Sequence, residues 1–236
     1  MVCGFFGSIP SILYRLLGQT EKSRESAHYF GIKMANLLQF VCFQPSIIQG
    51  EENIPNKPCV FVANHQSTAD IAVMYWLNRK FSWVSKSSVF TVPGVGLLMY
   101  MAQYVSLKRS SKESGVKMIE DCRENCLSKG WSVVIFPQGT RRRHKILDFK
   151  KGAFRLAQES NVPIVPVTIE LPENMYSYGC KDKPRIAFHK PIFPEDEIFK
   201  DRDAMLKHCF DTIIGNLSYG TEMLEKQNLE AKNDSL

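Results

Sequence analysis

The sequence predicts an α/β fold: a mixed, largely parallel sheet covered by helices on both faces, with a helical hairpin at the N-terminus. Short continuous apolar runs at 59–63, 132–136 and 162–169 alternate with segments of helical period, as buried parallel strands joined by helices do. The length of 236 residues fits one such domain. With 44% hydrophobic and 23% charged residues, the chain is neither disordered, collagenous nor a polytopic membrane protein. Lys and Arg number 30 against 24 Asp and Glu, a net charge of +6. That excess favours an anionic partner: a phosphorylated metabolite, an acidic lipid surface or nucleic acid.

Residues 1–46 read as an amphipathic membrane-association segment. Phe5, Phe6, Ile9, Ile12, Leu13, Leu16 and Leu17 are interrupted by Pro10 and Arg15, and a second apolar segment runs over 28–48, with Pro45 ending its helix. Neither reaches the roughly 18 uninterrupted apolar residues of a spanning helix. A cleaved signal peptide would carry a basic region before the apolar run, which is lacking here. The pair resembles a hairpin with one apolar side and Arg15, Lys22, Arg24 and Lys33 at its edge. It can lie in a membrane interface near anionic headgroups, or simply cover one side of a core.

The main α/β domain is expected over 47–220. In order, the patterns predict a strand at 59–63 ending at Asn64, a helix over 67–77 and a strand at 104–107. A helix over 112–127 presents Val116, Ile119, Cys122 and Cys126 on one face and stops at Gly130. A strand at 132–136, a helix over 150–159, the apolar run 162–169, a strand at 185–189 and a terminal helix over 204–217 complete it. Pro163 and Pro166 in the 162–169 run fit a sheet edge or a groove wall, or a purely structural role. Residues 221–236 form a polar tail expected to fray. The seven cysteines are scattered without a CxxC pair, which predicts free buried thiols in a reducing compartment and no metal site.

The sharpest chemical signal is Asn64-His65-Gln66-Ser67-Thr68-Ala69-Asp70, between a strand and a helix. Inside one regular helix, residues five apart point about 140° away from each other. His65 and Asp70 therefore meet only if His65 lies in the loop and Asp70 in the first turn, with Ser67 as a suitable N-cap. Asp70 then accepts the proton of one ring nitrogen, leaving the other as a general base. The same spacing also fits a capping box in which Asp70 only caps the helix. A second signal is Phe136-Pro137-Gln138-Gly139-Thr140-Arg141, a strand end with a glycine turn and a planar cation suited to phosphate. Arg142, Arg143 and Lys145 read as a solvated loop. Nucleic acid is not expected as a partner, because Phe149 and Phe154 are too few aromatics to interleave with the basic run. Arg109 follows the 104–107 strand as a further cation at a strand end.

Together and in order, these blocks resemble the glycerolipid acyltransferase family, specifically the 1-acylglycerol-3-phosphate acyltransferases. The family's N-H-x4-D, Arg-terminated, F-P-E-G-T-R and V-P-[IV]-[IV]-P-V blocks fall on 64–70, 104–109, 136–141 and 162–167. The resemblance covers about 47–167 and runs more loosely to His189. It implies His65 and Asp70 as catalytic residues. It also implies that Lys86, Arg109, Gln138, Gly139, Thr140 and Arg141 bind substrate, with Arg109 and Arg141, and Lys86 beside them, on the acceptor's phosphate. The implied reaction moves a fatty acyl group from an acyl-CoA or acyl-carrier-protein thioester to the sn-2 hydroxyl of lysophosphatidate. No metal or bound cofactor is implied. A monotopic association with the cytoplasmic, reducing face of a membrane completes the expectation. Gln138 stands where the family has Glu, which the resemblance assigns to seating the acceptor. Competing readings are another lysophospholipid or glycerol-3-phosphate acyltransferase, and a catalytically silent membrane-binding module.

Overall fold

The computed structural model describes residues 2–42, 44–108, 112–142, 145–175 and 181–233. Helices α1 (Val2–Leu16) and α2 (Thr20–Cys42) form the hairpin, and β1 (Ile47–Gln49) enters the sheet. There follow β2 (Val60–Ala63), α3 (Ala69–Met74), β3 (Phe81–Lys86), α4 (Val95–Met101), β4 (Val105–Leu107), α5 (Lys112–Asn125), β5 (Ser132–Ile135) and α6 (Gly152–Ser160). Then come β6 (Ile164–Glu170), β7 (Arg185–Phe188), α7 (Glu197–Lys200), α8 (Arg202–Gly215) and α9 (Gly220–Asn233). The strand order is β1-β7-β6-β2-β5-β3-β4, with every neighbouring pair parallel except β6 and β7. The predicted mixed, largely parallel sheet is the one observed.

Alternation along the strands divides the core between the two sheet faces. Phe61, Ala63, Val134, Val165 and Val167 pack under α2, α3 and α4, while Val60, Val62, Val133 and Ile135 pack under α5, α6 and α8. Each face carries helices, so the central strands read as continuous apolar runs in the sequence. Asp201 caps α8 by accepting from the N–H groups of Asp203 and Ala204.

Several expectations change. Pro166 does not mark an edge: β6 lies between β7 and β2. The Pro166 carbonyl accepts from the His189 N–H, so its nitrogen also faces β7, just past that strand's end at Phe188. The missing donor therefore costs β2 no ladder bond. Residues 220–233 are helical rather than frayed, with Met223 and Leu224 packed against the core. Strand β3 and helix α4 join the elements read from sequence.

The hairpin is half core. Ala27, Ile32 and Ala35 of α2 are buried among residues of α3, β2 and β3. Arg24, expected at a membrane edge, is instead 0% exposed, with its guanidinium 3.9 Å from the Trp131 ring centre and bonded to the Asn125 carbonyl. Gln39 donates to the Ala72 carbonyl of α3 at 2.7 Å.

His28 completes this contact. Its Nε2 lies 2.8 Å from the Arg79 carbonyl, an acceptor only, so Nε2 carries the proton and Nδ1 accepts from the Tyr104 hydroxyl at 2.9 Å. The Tyr75 hydroxyl stands 2.6 Å from that of Tyr104 and supplies its proton in turn. Burial holds the His28 pKa down from 6.5 to about 4, against the raising effect of the Arg79 carbonyl and assisted by the charge of Arg24. Below pH 6.5 the unfolded chain takes up a proton that the folded protein refuses until about pH 4. Stability therefore falls with falling pH across that window, by about 3 kcal/mol from this residue. In urea titrations at pH 7 and pH 4, His28→Gln is expected to lose less stability on acidification than wild type by about that amount. An unchanged gap between the two proteins would contradict it.

Candidate active site

Strands β2 and β5 are parallel neighbours, with Val62 opposite Ile135, so the loops after them meet at the sheet's carboxyl edge. Asn64 anchors the first loop. Its side chain accepts from the Ile169 N–H and donates to the Ile169 carbonyl, both at 2.8 Å, tying the end of β2 to β6. The chain then turns so that His65 precedes α3 and Asp70 lies in its first turn.

Here the two residues meet. His65 Nδ1 lies 2.7 Å from Asp70 Oδ2, and the aspartate is 0% exposed. The same oxygen accepts the N–H groups of Gln66 at 2.7 Å and Ser67 at 2.9 Å. Asp70 thus organises the loop and holds the histidine. Because the carboxylate only accepts, Nδ1 carries a proton towards it, which leaves Nε2 as the ring nitrogen available to another partner. Thr68, not Ser67, is the residue before α3, and its side chain makes no cap bond.

The second loop holds His65 from the other side. Gly139 closes a turn by donating to the Phe136 carbonyl at 3.0 Å, with φ at +74°, a left-handed value that favours glycine. Gln138 Oε1 accepts the His65 N–H at 2.7 Å, and the Arg142 N–H donates to the His65 carbonyl at 3.2 Å. The Phe136 ring stacks on the imidazole, centroids 3.9 Å apart and planes 9° from parallel, and Trp83 of β3 stacks behind Phe136 at 5.5 Å. The ring plane of His65 is set by this pile, its peptide by the 138–142 turn and its tautomer by Asp70.

Arg141 is exposed, with one guanidinium nitrogen 3.0 Å from Thr68 Oγ1, so this cation reaches across to the His65 loop. Thr140 is exposed beside it. Lys86 is exposed at the end of β3, two strand places from β2 in the sheet. Arg109 lies outside the described residues, as does Arg143. Sequence reasoning passed over Phe136, Thr68 and Gln66 as site residues. Gln66 donates to the Ile169 carbonyl and to the hydroxyl of Tyr219, in the turn between α8 and α9. No local pattern announces a partner 153 residues away. Among the described residues, no group of three or more His, Cys, Asp or Glu is placed to hold a metal ion.

The acyltransferase family model matches residues 46–170. A chloroplastic 1-acyl-sn-glycerol-3-phosphate acyltransferase of Brassica napus is 36% identical over 181 residues, 73% of this chain and 52% of that protein. A 1-acyl-sn-glycerol-3-phosphate acyltransferase of Chlamydomonas reinhardtii is 38% identical over 74% of this chain and 54% of its own. The chain thus spans about half the length of these relatives. One of Saccharomyces cerevisiae, carrying the same name, is 33% identical over 85% of this chain and 67% of its own. The crystal structure of the 1-acyl-sn-glycerophosphate acyltransferase of Thermotoga maritima shares the fold, with a TM-score of 0.65 at 22% identity, over 96% of this chain and 95% of that one.

Proposed function

This chain belongs to the acyltransferase family, and on that premise we propose that it transfers a fatty acyl group from an acyl thioester to the sn-2 hydroxyl of lysophosphatidate, giving phosphatidate. The observation that carries this reading is the 2.7 Å contact of His65 Nδ1 with the buried Asp70, whose same oxygen also accepts the Gln66 and Ser67 N–H groups. The names of the relatives, each a 1-acyl-sn-glycerol-3-phosphate acyltransferase, support the acceptor.

In this mechanism His65 Nε2 takes the proton of the acceptor hydroxyl as its oxygen attacks the thioester carbonyl. Asp70 balances the imidazolium that forms. The tetrahedral intermediate collapses, the carbon–sulfur bond breaks, and the leaving thiolate takes the proton back from Nε2. The acceptor's own hydroxyl fills the place of a serine nucleophile, so no acyl-enzyme forms. The donor is acyl-CoA or acyl-carrier protein, with no bound cofactor or metal.

Arg141 is assigned to the acceptor phosphate. Guanidinium offers five N–H donors, and the Thr68 contact uses one, leaving a fork for phosphate oxygens. Arg141→Lys keeps the charge and loses the fork. It is expected to lower kcat/KM by about 1–3 kcal/mol, chiefly by raising KM for lysophosphatidate rather than for the thioester. Arg142→Lys, at the neighbouring exposed cation that is not assigned to the phosphate, is the matched control. Equal silence of both variants, or a defect confined to thioester binding, would remove Arg141 from the phosphate site. Lys86, Arg109, Gly139 and Thr140 remain proposed members of the acceptor site, and steady-state KM values of their alanine variants test each.

The protein is proposed to sit on the membrane as a monotopic enzyme facing a reducing, cytoplasmic compartment. Among the described residues no helix is long and apolar enough to cross a bilayer. Leu16 and Phe40 of the hairpin are nonetheless 79% and 81% exposed, with Leu13, Leu17 and Val41 exposed beside them in the sequence. Cys59, Cys122, Cys126 and Cys209 are free and buried, and burial pushes the Cys59 and Cys209 thiols up to about 12, which suits a reducing environment.

A further inference from the structure

Gln138 occupies the turn position at which the family resemblance puts an acceptor-seating carboxylate, yet its surroundings point elsewhere. The residue is only 6% exposed, and its Oε1 is engaged by the His65 N–H at 2.7 Å. The Arg142 N–H holds the carbonyl of the same residue, so the two peptide groups of His65 are gripped from one turn. Phe136, two residues before Gln138, supplies the ring stacked on the imidazole. Three contacts from one seven-residue turn thus converge on one side chain and its backbone. A side chain turned inward with its acceptor oxygen occupied is poorly placed to meet an incoming lipid headgroup. It is well placed to set where the imidazole stands.

We propose that Gln138 is a positioning residue, whose amide oxygen clamps the His65 peptide and so fixes the general base relative to the acceptor hydroxyl. The proposal rests on the acyl-transfer reading and adds to it a role for a neutral residue where the family has an acid. The clamp needs only a hydrogen-bond acceptor at that reach. Gln supplies one without placing a second negative charge near the imidazolium that Asp70 already balances. Gln138 therefore acts on the rate of proton removal and leaves the phosphate to the cations.

The test compares Gln138→Met, close in size but without the acceptor, with Gln138→Glu, which keeps an oxygen at the same reach. In the purified full chain on phospholipid vesicles, Gln138→Met is expected to lower kcat about 10- to 100-fold, the scale of a slightly misplaced catalytic group. KM for lysophosphatidate and for the thioester should stay within about twofold, and Gln138→Glu should recover most of kcat. Amide hydrogen exchange gives a readout independent of turnover: the His65 N–H should exchange up to about tenfold faster in Gln138→Met and not in Gln138→Glu. Unchanged His65 exchange, or a loss seen only as a raised KM for lysophosphatidate, would overturn the clamp and return Gln138 to the acceptor site. A wild type that acylates no lysophosphatidate refutes the acyl-transfer reading instead, and the exchange result then decides the clamp by itself.

Discussion

His65→Ala is expected to lower kcat at least about a thousandfold, because in the proposed mechanism it removes the group assigned to take the acceptor's proton. The sequence alone suggests a loop histidine with little structural weight. In the structure it is buried, stacked on Phe136 and bonded to Asp70, so alanine also leaves a void. A stability loss of about 1–2 kcal/mol is expected alongside, too small to unfold the domain. Asp70→Asn separates charge from geometry. The donors from His65, Gln66 and Ser67 require an oxygen at the Oδ2 position, so the new amide turns its oxygen there and preserves the tautomer of His65. What is lost is the negative charge balancing the imidazolium, worth about 100-fold in kcat. Circular dichroism confirms folding, and steady-state kinetics read the rates. More than a few per cent of activity in folded His65→Ala would refute the general-base role.

Replacing Leu13, Leu16, Phe40 and Val41 together by Glu is expected to weaken binding to vesicles of phosphatidylcholine and phosphatidylglycerol at least about 100-fold. Each of these side chains contributes roughly 1 kcal/mol or more on entering an apolar phase, and added acids are repelled by anionic lipid. All four are exposed, so the fold should survive. Deleting the hairpin would be a poorer test, since α2 carries Arg24, His28 and Gln39 into the protein interior. Co-sedimentation of the folded quadruple variant with unchanged affinity would contradict interfacial seating through these side chains.

The sheet and its carboxyl edge were legible because buried strands leave continuous apolar runs and turns leave glycine. The His65–Asp70 pair was legible only from the motif order: its spacing closes across a loop-to-helix boundary, which Ser67 suggests, but a capping box fits that spacing equally until the four blocks of the family resemblance are taken together. Arg24 and His28 were not legible, since a cation and an imidazole on an amphipathic helix read as surface. Only the tertiary partners Trp131, Asn125, Arg79 and Tyr104 show that α2 turns them inward. Pro166 misled for a similar reason. Proline suggests an edge, and whether a sheet tolerates it depends on where the neighbouring strand ends. Gln138 was visible as a departure in a motif, while its partner, the His65 peptide, lies 73 residues away.

The most direct measurement incubates the purified full chain, bound to vesicles, with a long-chain acyl-CoA and lysophosphatidate, and follows phosphatidate by mass spectrometry. The expected result is phosphatidate newly acylated at sn-2, formation that saturates with lysophosphatidate, and thiol release that needs the acceptor. Thiol released at the same rate without lysophosphatidate, or acyl transfer only to lysophosphatidylcholine or glycerol-3-phosphate, would contradict it.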